Sequence, residues 1–345
     1  MIFNKIKPCC YSLLIALCVF ASCRNGKEKG NENSVEAVAD TTETGKAIAQ
    51  LSEKIISSPA DANLLHERAK LYMKQKNFQY AMDDMGAVMK IDSTKAPYFI
   101  TLSDLYFAAN KTFYAKSALE KCLAIEPGNT EAHTKLAEIF FIVRKYDDAI
   151  QHLNEVLKKD PGDAKVFFMS GMIYKETGDT AKAISSFQVA IDKDQQHYDA
   201  YMQLGVLYEA KNNPLAVQYY NGALQINPRS EEAFYGRALY YQDHDDLDKA
   251  IQDYTSIVQI NPKNAHAHFN LGYIHYTNLK VYDQAIKHYN DAIAADPDYI
   301  EAYYNRGLCY EAVGNIAAAK DDYDKAISFK PNYELALKGL ERIKK

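Results

Sequence analysis

The sequence predicts an all-α protein, built as a solenoid of about eight helical hairpins that a terminal helix closes. Three observations support this fold class. A proline returns every 33 to 35 residues, small side chains return at fixed places between the prolines, and glycine and proline are few, at 15 and 10 of 345 residues. A fixed period of this length is typical of helical repeat arrays, in which each unit buries its apolar face against its neighbours.

The prolines define the repeat boundaries. Their series consists of Pro59, Pro127, Pro161, Pro228, Pro262, Pro297 and Pro331, with Ser93 and Gln195 at the two remaining steps. Because proline lacks an amide donor and clashes with the preceding turn, each one ends a helix, and the next helix begins about three residues later. The series divides residues 62–333 into eight repeats, which are 62–95, 96–129, 130–163, 164–197, 198–230, 231–264, 265–299 and 300–333.

Small side chains recur inside every repeat. The eighth place holds Ala69, Ser103, Ala137, Gly171, Gly205, Ala238, Gly272 and Gly307. The second helix repeats an alanine, at Ala81, Ala115, Ala149, Ala183, Ala216, Ala250, Ala285 and Ala319. Small residues let two helix backbones approach closely, and the aromatic residue at the eleventh place of seven repeats fills the remaining gap. Each repeat is therefore predicted to be a pair of tightly crossing helices.

This pattern resembles the tetratricopeptide repeat family over about four fifths of the chain. The resemblance implies a right-handed α-α superhelix whose concave face, formed by the first helix of each repeat, binds an extended peptide. We call this face the inner wall, and its predicted peptide-binding residues are Phe168, Met172, Met202, Tyr235, Phe269, Asn270, Tyr273, Tyr304, Asn305 and Leu308. Exposed aromatic and methionine side chains are typical anchors of peptide ligands.

Two alternatives stay open for the inner wall. Its aromatic rings could instead stack on sugar rings, which would make the protein a carbohydrate or peptidoglycan receptor. The wall could also be covered, either by the C-terminal helix or by partial interdigitation of neighbouring repeats. The peptide-binding interpretation is the one that the family resemblance favours.

The N-terminus has the features of an export signal. Two lysines precede an apolar run at Tyr11–Phe20, which is too short to span a bilayer as a mature helix. Two small residues and Cys23 follow, and together they resemble the lipobox of bacterial lipoproteins, in the relaxed form of Bacteroidetes-like bacteria. This implies a signal peptide at 1–22, acylation of Cys23 with palmitate or similar chains, and, since Arg24 is not Asp, the outer membrane. The alternative is an ordinary signal peptide with an incidental cysteine.

The segments that flank the repeats differ in composition. Residues 23–45 are polar and almost free of large apolar side chains, which predicts a flexible tether behind the acylated cysteine. Residues 46–61 are predicted to form an N-terminal capping helix and residues 334–345 a C-terminal capping helix, because repeat arrays need a polar outer face at both ends.

A correlated pair of charges appears when the eight repeats are compared with one another. Arginine stands at the seventh place of only three repeats, and in the same three repeats the twenty-third place is Asp. The pairs are Arg68 with Asp84, Arg237 with Asp253, and Arg306 with Asp322. A guanidinium on the first helix facing a carboxylate on the second forms a forked, charge-assisted contact. We predict structural ion pairs here.

Other functional classes receive little support. The net charge of −5 provides no basic surface for nucleic acid, and the sequence contains no phosphate-binding loop or nucleophile motif. We therefore expect no catalytic residues and no cofactor, and we expect other envelope proteins as partners. The sequence does not determine the oligomeric state.

Repeat seven holds four histidines, His266, His268, His275 and His288. Two of them replace aromatic residues of other repeats, which favours packed neutral rings over a metal site.

Overall fold

The computed structural model describes residues 42–344, which fold into helices joined by turns. Helix α1 (Glu43–Ser57) comes first and α18 (Glu334–Ile343) comes last. The first helices of the repeats are α2 (Ala62–Lys74), α4 (Ala96–Ala108), α6 (Thr130–Ile142), α8 (Ala164–Glu176), α10 (Tyr198–Ala210), α12 (Glu231–Asp243), α14 (Ala265–Ile274) and α16 (Ile300–Ala312). The second helices are α3 (Phe78–Ile91), α5 (Thr112–Ile125), α7 (Tyr146–Lys159), α9 (Thr180–Lys193), α11 (Leu215–Ile226), α13 (Leu247–Ile260), α15 (Tyr282–Ala295) and α17 (Ile316–Phe329).

The helices pack in chain order, which confirms the predicted all-α superhelical solenoid. Each first helix packs on the second helix of its own repeat, and that helix packs on the first helix of the next repeat. Contacts between successive first helices also occur, for example between α10 and α12. None of the helices between residues 42 and 344 is both long enough and apolar enough to cross a membrane.

Helix α1 begins earlier than predicted. The sequence predicts a tether up to residue 45 and a capping helix from residue 46, whereas the helix begins at Glu43. The Thr42 hydroxyl accepts a hydrogen bond from the Gly45 amide at 3.0 Å, and the acidic Glu43 stands in the first turn. A side-chain cap and a negative charge both stabilise a helix N-terminus. Together they outweigh the low helix propensity of Gly45.

The core of each repeat is a large side chain of the second helix that presses on a small residue of the first. A Cβ atom added at Gly171 would lie 2.6 Å from the Phe187 ring, and one at Gly205 would lie 2.6 Å from the Tyr220 ring. Both rings are essentially inaccessible to solvent. In the repeats that have glycine at the eighth place, the small residue is therefore required by the bulk of the ring opposite.

The extra residue of repeat seven is absorbed by a change of helix type. Helix α14 ends at Ile274 and continues as a π-helical turn, His275–Leu279, before Lys280 adopts a left-handed conformation at φ 58°. A π-helical turn accommodates one more residue without breaking the helix. The register of α15 is thereby preserved, and Ala285 still lies at the crossing with no exposed surface.

Candidate functional site

The first helices of repeats four to eight carry the predicted inner wall. Nine of its ten predicted residues are half-buried, so each presents part of its side chain to solvent. Met202 is the exception, because it is only 3% exposed and packs beside Tyr220 and Tyr240. The prediction of Met202 as a peptide-binding residue is wrong. Val206, one turn further along α10 and 43% exposed, presents an apolar side chain to solvent in that repeat.

The aromatic rings of the wall rest against other rings of the repeat stack. Phe269 stacks on Tyr299 with ring centroids 4.9 Å apart and also contacts Tyr289 at 5.7 Å. Tyr304 has the corresponding neighbours one repeat later, but it meets Tyr333 edge to face at 5.7 Å, and Tyr323 lies at 5.9 Å. A ring held from two sides keeps its orientation, so the wall offers fixed ring edges and faces rather than mobile side chains.

The two asparagines of the wall are held by different partners. The side-chain amide of Asn270 donates to the Tyr235 hydroxyl at 3.1 Å, whereas that of Asn305 donates to the backbone carbonyl of Glu301 at 2.7 Å. Each contact uses one of the two donors of the amide, and each amide oxygen can still accept. Both side chains are half-buried and oriented before any ligand binds.

Charged residues border the apolar part of the wall. In repeats two and three the equivalent places hold Asp104 and Lys135, which form an ion pair at 2.6 Å, and Glu138, whose pKa is raised by burial. At the other end, Arg342 of α18 donates to both carboxylate oxygens of Glu311 at 2.5 and 2.6 Å. These hydrogen bonds lower the pKa of Glu311. The apolar strip therefore covers repeats four to eight, and α18 is fixed at its end.

Comparison with known proteins agrees with this geometry. Sequence profiles described as tetratricopeptide repeats match residues 106–167, 168–231, 243–278, 281–314 and 300–333. The chain belongs to the tetratricopeptide repeat family. No curated protein sequence matches it significantly.

Two solved structures illustrate the likeness to other tetratricopeptide repeat proteins. The C-terminal part of a TPR repeat-containing protein from Cytophaga hutchinsonii superposes with a TM-score of 0.62 at 20% identity, covering 69% of this chain and 98% of the other. PilF of Pseudomonas aeruginosa gives a TM-score of 0.51 at 17% identity, covering 59% of this chain and 93% of the other. At such identities the likeness concerns the fold.

The arginine–aspartate pairs inferred from the repeats are formed in all three places. In each pair the guanidinium Nε and Nη2 donate to the two carboxylate oxygens, at 2.8 and 2.6 Å for Arg237 and Asp253. The remaining Nη1 reaches back to the preceding repeat or cap, where it donates to Ser52, Asn221 or Asn290. These partners lie sixteen residues before the arginine, just as the aspartates lie sixteen residues after it. This second contact was not predicted from the sequence, although the same spacing of sixteen residues, counted toward the N-terminus, indicates it.

The tyrosines at the centre of the second helices differ in how their hydroxyls are satisfied. The hydroxyls of Tyr220 and Tyr323 donate to Glu209 and Glu311, and that of Tyr254 donates to the side-chain oxygen of Gln242 at 3.1 Å. The Tyr289 hydroxyl has no hydrogen-bond partner within residues 42–344 and is fully buried. Repeat seven has Tyr276 at the place of the glutamate or glutamine, and a tyrosine there does not reach the buried hydroxyl.

The four histidines of repeat seven separate into two groups. His266 is exposed and its Nδ1 lies 3.2 Å from the Tyr299 hydroxyl. The His288 ring lies between the other two, with its centroid 5.9 Å from that of His268 and 5.2 Å from that of His275. Burial, together with the neighbouring His275 and His268, lowers the pKa of His288 to about 4. The three rings are thus packed, and His288 is neutral at pH 7.

Some of the sequence-based predictions fall on residues that the structure does not describe. Cys23, the signal peptide at 1–22 and the tether up to residue 41 all precede the first described residue. Their assignments remain predictions. The catalytic and cofactor classes receive no added support from the described residues, where the fold is that of a family of interaction scaffolds.

The first prediction concerns the ion pair of Arg237 and Asp253. Replacing Arg237 with Leu strands the Asp253 carboxylate, which is 3% exposed, and should lower the free energy of unfolding by about 3 to 5 kcal/mol. Adding Asp253→Leu should recover most of this loss, since two apolar side chains replace a buried pair at little cost. Urea denaturation followed by circular dichroism measures both. A double variant as unstable as the Arg237→Leu variant would contradict the assigned pairing.

The second prediction concerns the Tyr289 hydroxyl, which has no hydrogen-bond partner among the described residues. Tyr289→Phe should raise the free energy of unfolding by about 1 kcal/mol or more, because it removes a buried hydroxyl that has no partner. Tyr254→Phe is the matched control and should lower it by about 1 kcal/mol, because it removes a formed hydrogen bond. The urea midpoints of the two variants should therefore move in opposite directions. Equal shifts would show that the Tyr289 hydroxyl is satisfied in solution.

Proposed function

We propose that this protein is a membrane-anchored scaffold that holds an extended segment of another cell-envelope protein along its inner wall. The observation that carries the proposal is a strip of half-exposed apolar side chains on the first helices α8, α12, α14 and α16, which the exposed Val206 joins from α10. It includes Phe168, Met172, Tyr235, Phe269, Tyr273, Tyr304 and Leu308. Exposed apolar surface of this extent on a solvent-facing wall marks an interaction site. Aromatic residues carry much of the binding free energy at such sites.

The shape of the strip favours a peptide. An extended chain rises about 3.3 Å per residue, so ten to fifteen residues follow several repeats at once. The asparagine side chains of adjacent repeats, Asn270 and Asn305, stand at matching places where they can bond the backbone of such a chain. Since the Phe269 ring is stacked on Tyr299, one of its faces is already covered and less of it is available for stacking on a sugar. This consideration places the carbohydrate or peptidoglycan receptor second.

The N-terminal sequence supports the proposed membrane anchor. Acylation of Cys23 and attachment to the outer membrane fit the motif around that cysteine, and several acyl chains make attachment stable at roughly 0.8 kcal/mol per buried methylene. A tether between Cys23 and α1 would let the solenoid reach a partner near the membrane surface.

Site-specific crosslinking tests the binding wall. We expect a photoreactive phenylalanine analogue at position 273 to crosslink a polypeptide in the envelope of the cells that make this protein. The same analogue at position 113, where Phe113 is 77% exposed but lies on a second helix, is the matched control and should not. A Tyr273→Ala, Tyr304→Ala double variant should retain the crosslinked partner at least about tenfold more weakly in a pull-down. Retention on purified cell-wall polymer that this double variant loses, with no polypeptide crosslinked, would instead support the receptor.

Metabolic labelling tests the anchor. Cells supplied with an alkyne analogue of palmitate should label the wild-type chain, whereas Cys23→Ser should abolish the label, because the acceptor thiol is lost. Cys122→Ser is the control and should keep the label, since that thiol is buried in the repeats. Labelling that persists in the Cys23→Ser variant would contradict the lipoprotein assignment.

A further inference from the structure

Repeat seven brings three potential metal ligands together outside the inner wall. His268 lies on α14, and His288 and Asp291 lie three residues apart on α15, so the last two share one helix face. One ligand atom from each of these residues lies within 4.8 Å of the other two, and the separation of His268 Nδ1 from the Asp291 carboxylate is 3.8 Å. The two helices of the hairpin thus face each other with two imidazoles and one carboxylate.

The two imidazoles each have an unused nitrogen. The Nδ1 atoms of His268 and His288 are both buried and have no hydrogen-bond partner among the described residues. The Nε2 atom of His268 is held by the carbonyl oxygen of Pro262 at 3.1 Å, which fixes the ring with its Nδ1 pointing at the cluster. Buried polar atoms are nearly always satisfied, so a pair of unsatisfied nitrogens next to a carboxylate indicates an absent partner.

Repeat three has similar side chains at the three equivalent positions, but its histidine nitrogens are not left unsatisfied. His133, His152 and Glu155 correspond to His268, His288 and Asp291 in the repeat register, and His133 Nε2 likewise contacts a proline carbonyl oxygen. There, however, the two Nδ1 atoms lie 2.8 Å apart and bond each other, and Glu155 pairs with Lys158. The histidines of repeat three satisfy each other, whereas those of repeat seven do not.

We propose that His268, His288 and Asp291 bind one divalent transition-metal ion, with zinc as the best match. Imidazole nitrogen and carboxylate oxygen are ligands that zinc takes at about 2.0 to 2.2 Å, whereas calcium and magnesium prefer oxygen alone. Tetrahedral zinc holds two nitrogens about 3.3 to 3.5 Å apart, so the side chains need to move inward by about 1 Å. The fourth position is left for water or for a ligand from a partner.

The expected consequence is a crosslink between the two helices of repeat seven. In repeats one, six and eight the place of His288 is taken by an aspartate that pairs with an arginine of the first helix. Repeat seven lacks that ion pair, and its first helix ends in a π-helical turn. A metal ion bound here joins the two helices in place of the arginine–aspartate ion pair.

Zinc titration of the purified full chain tests the site. The protein is first treated with a chelator, and its reactive thiols are alkylated, because thiolates also bind zinc. We expect calorimetry to show one zinc ion per chain for the wild type and no binding of magnesium. His288→Ala should weaken zinc binding at least about 100-fold and Asp291→Asn at least about tenfold. His152→Ala in repeat three is the matched control and should bind zinc as the wild type does.

Asp291→Asn keeps the test decisive if His288→Ala fails to fold, since the Asp291 side chain is 46% exposed and its loss removes no core packing. Absence of saturable zinc binding by the wild type would overturn the site. So would zinc binding that both repeat-seven substitutions leave unchanged, or zinc binding that His152→Ala abolishes. These results are independent of the crosslinks at position 273, because none of the three ligands belongs to the inner wall.

Discussion

The contact between a large ring of the second helix and a small residue of the first is the constraint on which the remaining structure depends. Tyr220 shows it twice, because a Cβ added to Gly205 of its own repeat or to Gly236 of the next would lie 2.6 Å from its ring. Tyr323 does the same with Gly307 and with Gly339 of the terminal helix, at 2.7 and 2.8 Å. One ring therefore sets both the crossing within a repeat and the distance to the following one. Adding a methyl group at such a place forces a backbone or ring shift that typically costs 1 to 3 kcal/mol.

The geometry of the inner wall follows from the same rings. Tyr235 and Phe269 lean on Tyr254 and Tyr289, whose own positions the helix crossings determine. A wall residue that rests on the core loses little conformational freedom when a ligand binds, so less of the binding free energy is spent on ordering it. Met202 shows the opposite case. It is flexible and unbranched, and it enters the core beside Tyr220 instead of remaining at the surface.

The sequence predicted those features that recur in the repeats, because eight copies of one pattern act as their own comparison set. The repeat register, the small eighth place and the pairing of Arg237 with Asp253 all came from this comparison. The burial of Met202 could not be obtained in this way, since it depends on how one side chain fills a gap of its own repeat. The start of α1 at Glu43 lies outside the period altogether, and the Thr42 cap was a local signal that the polar composition around it obscured.

Repeat seven departs from the common pattern in three respects that belong together. Its first helix ends in a π-helical turn, its central Tyr289 lacks the hydrogen bond that Tyr254 and Tyr323 make, and its paired histidines leave two nitrogens unsatisfied. The last two departures lower the stability of the hairpin, because a buried polar group without a partner costs about 1 to 3 kcal/mol. An array in which each repeat depends on its neighbours is weakened by one poor unit. Local rules that are broken together usually mark a functional site. A ligand that satisfies His268 and His288 would remove part of this cost, and the metal site accounts for two of the unsatisfied atoms with residues that the repeat already provides.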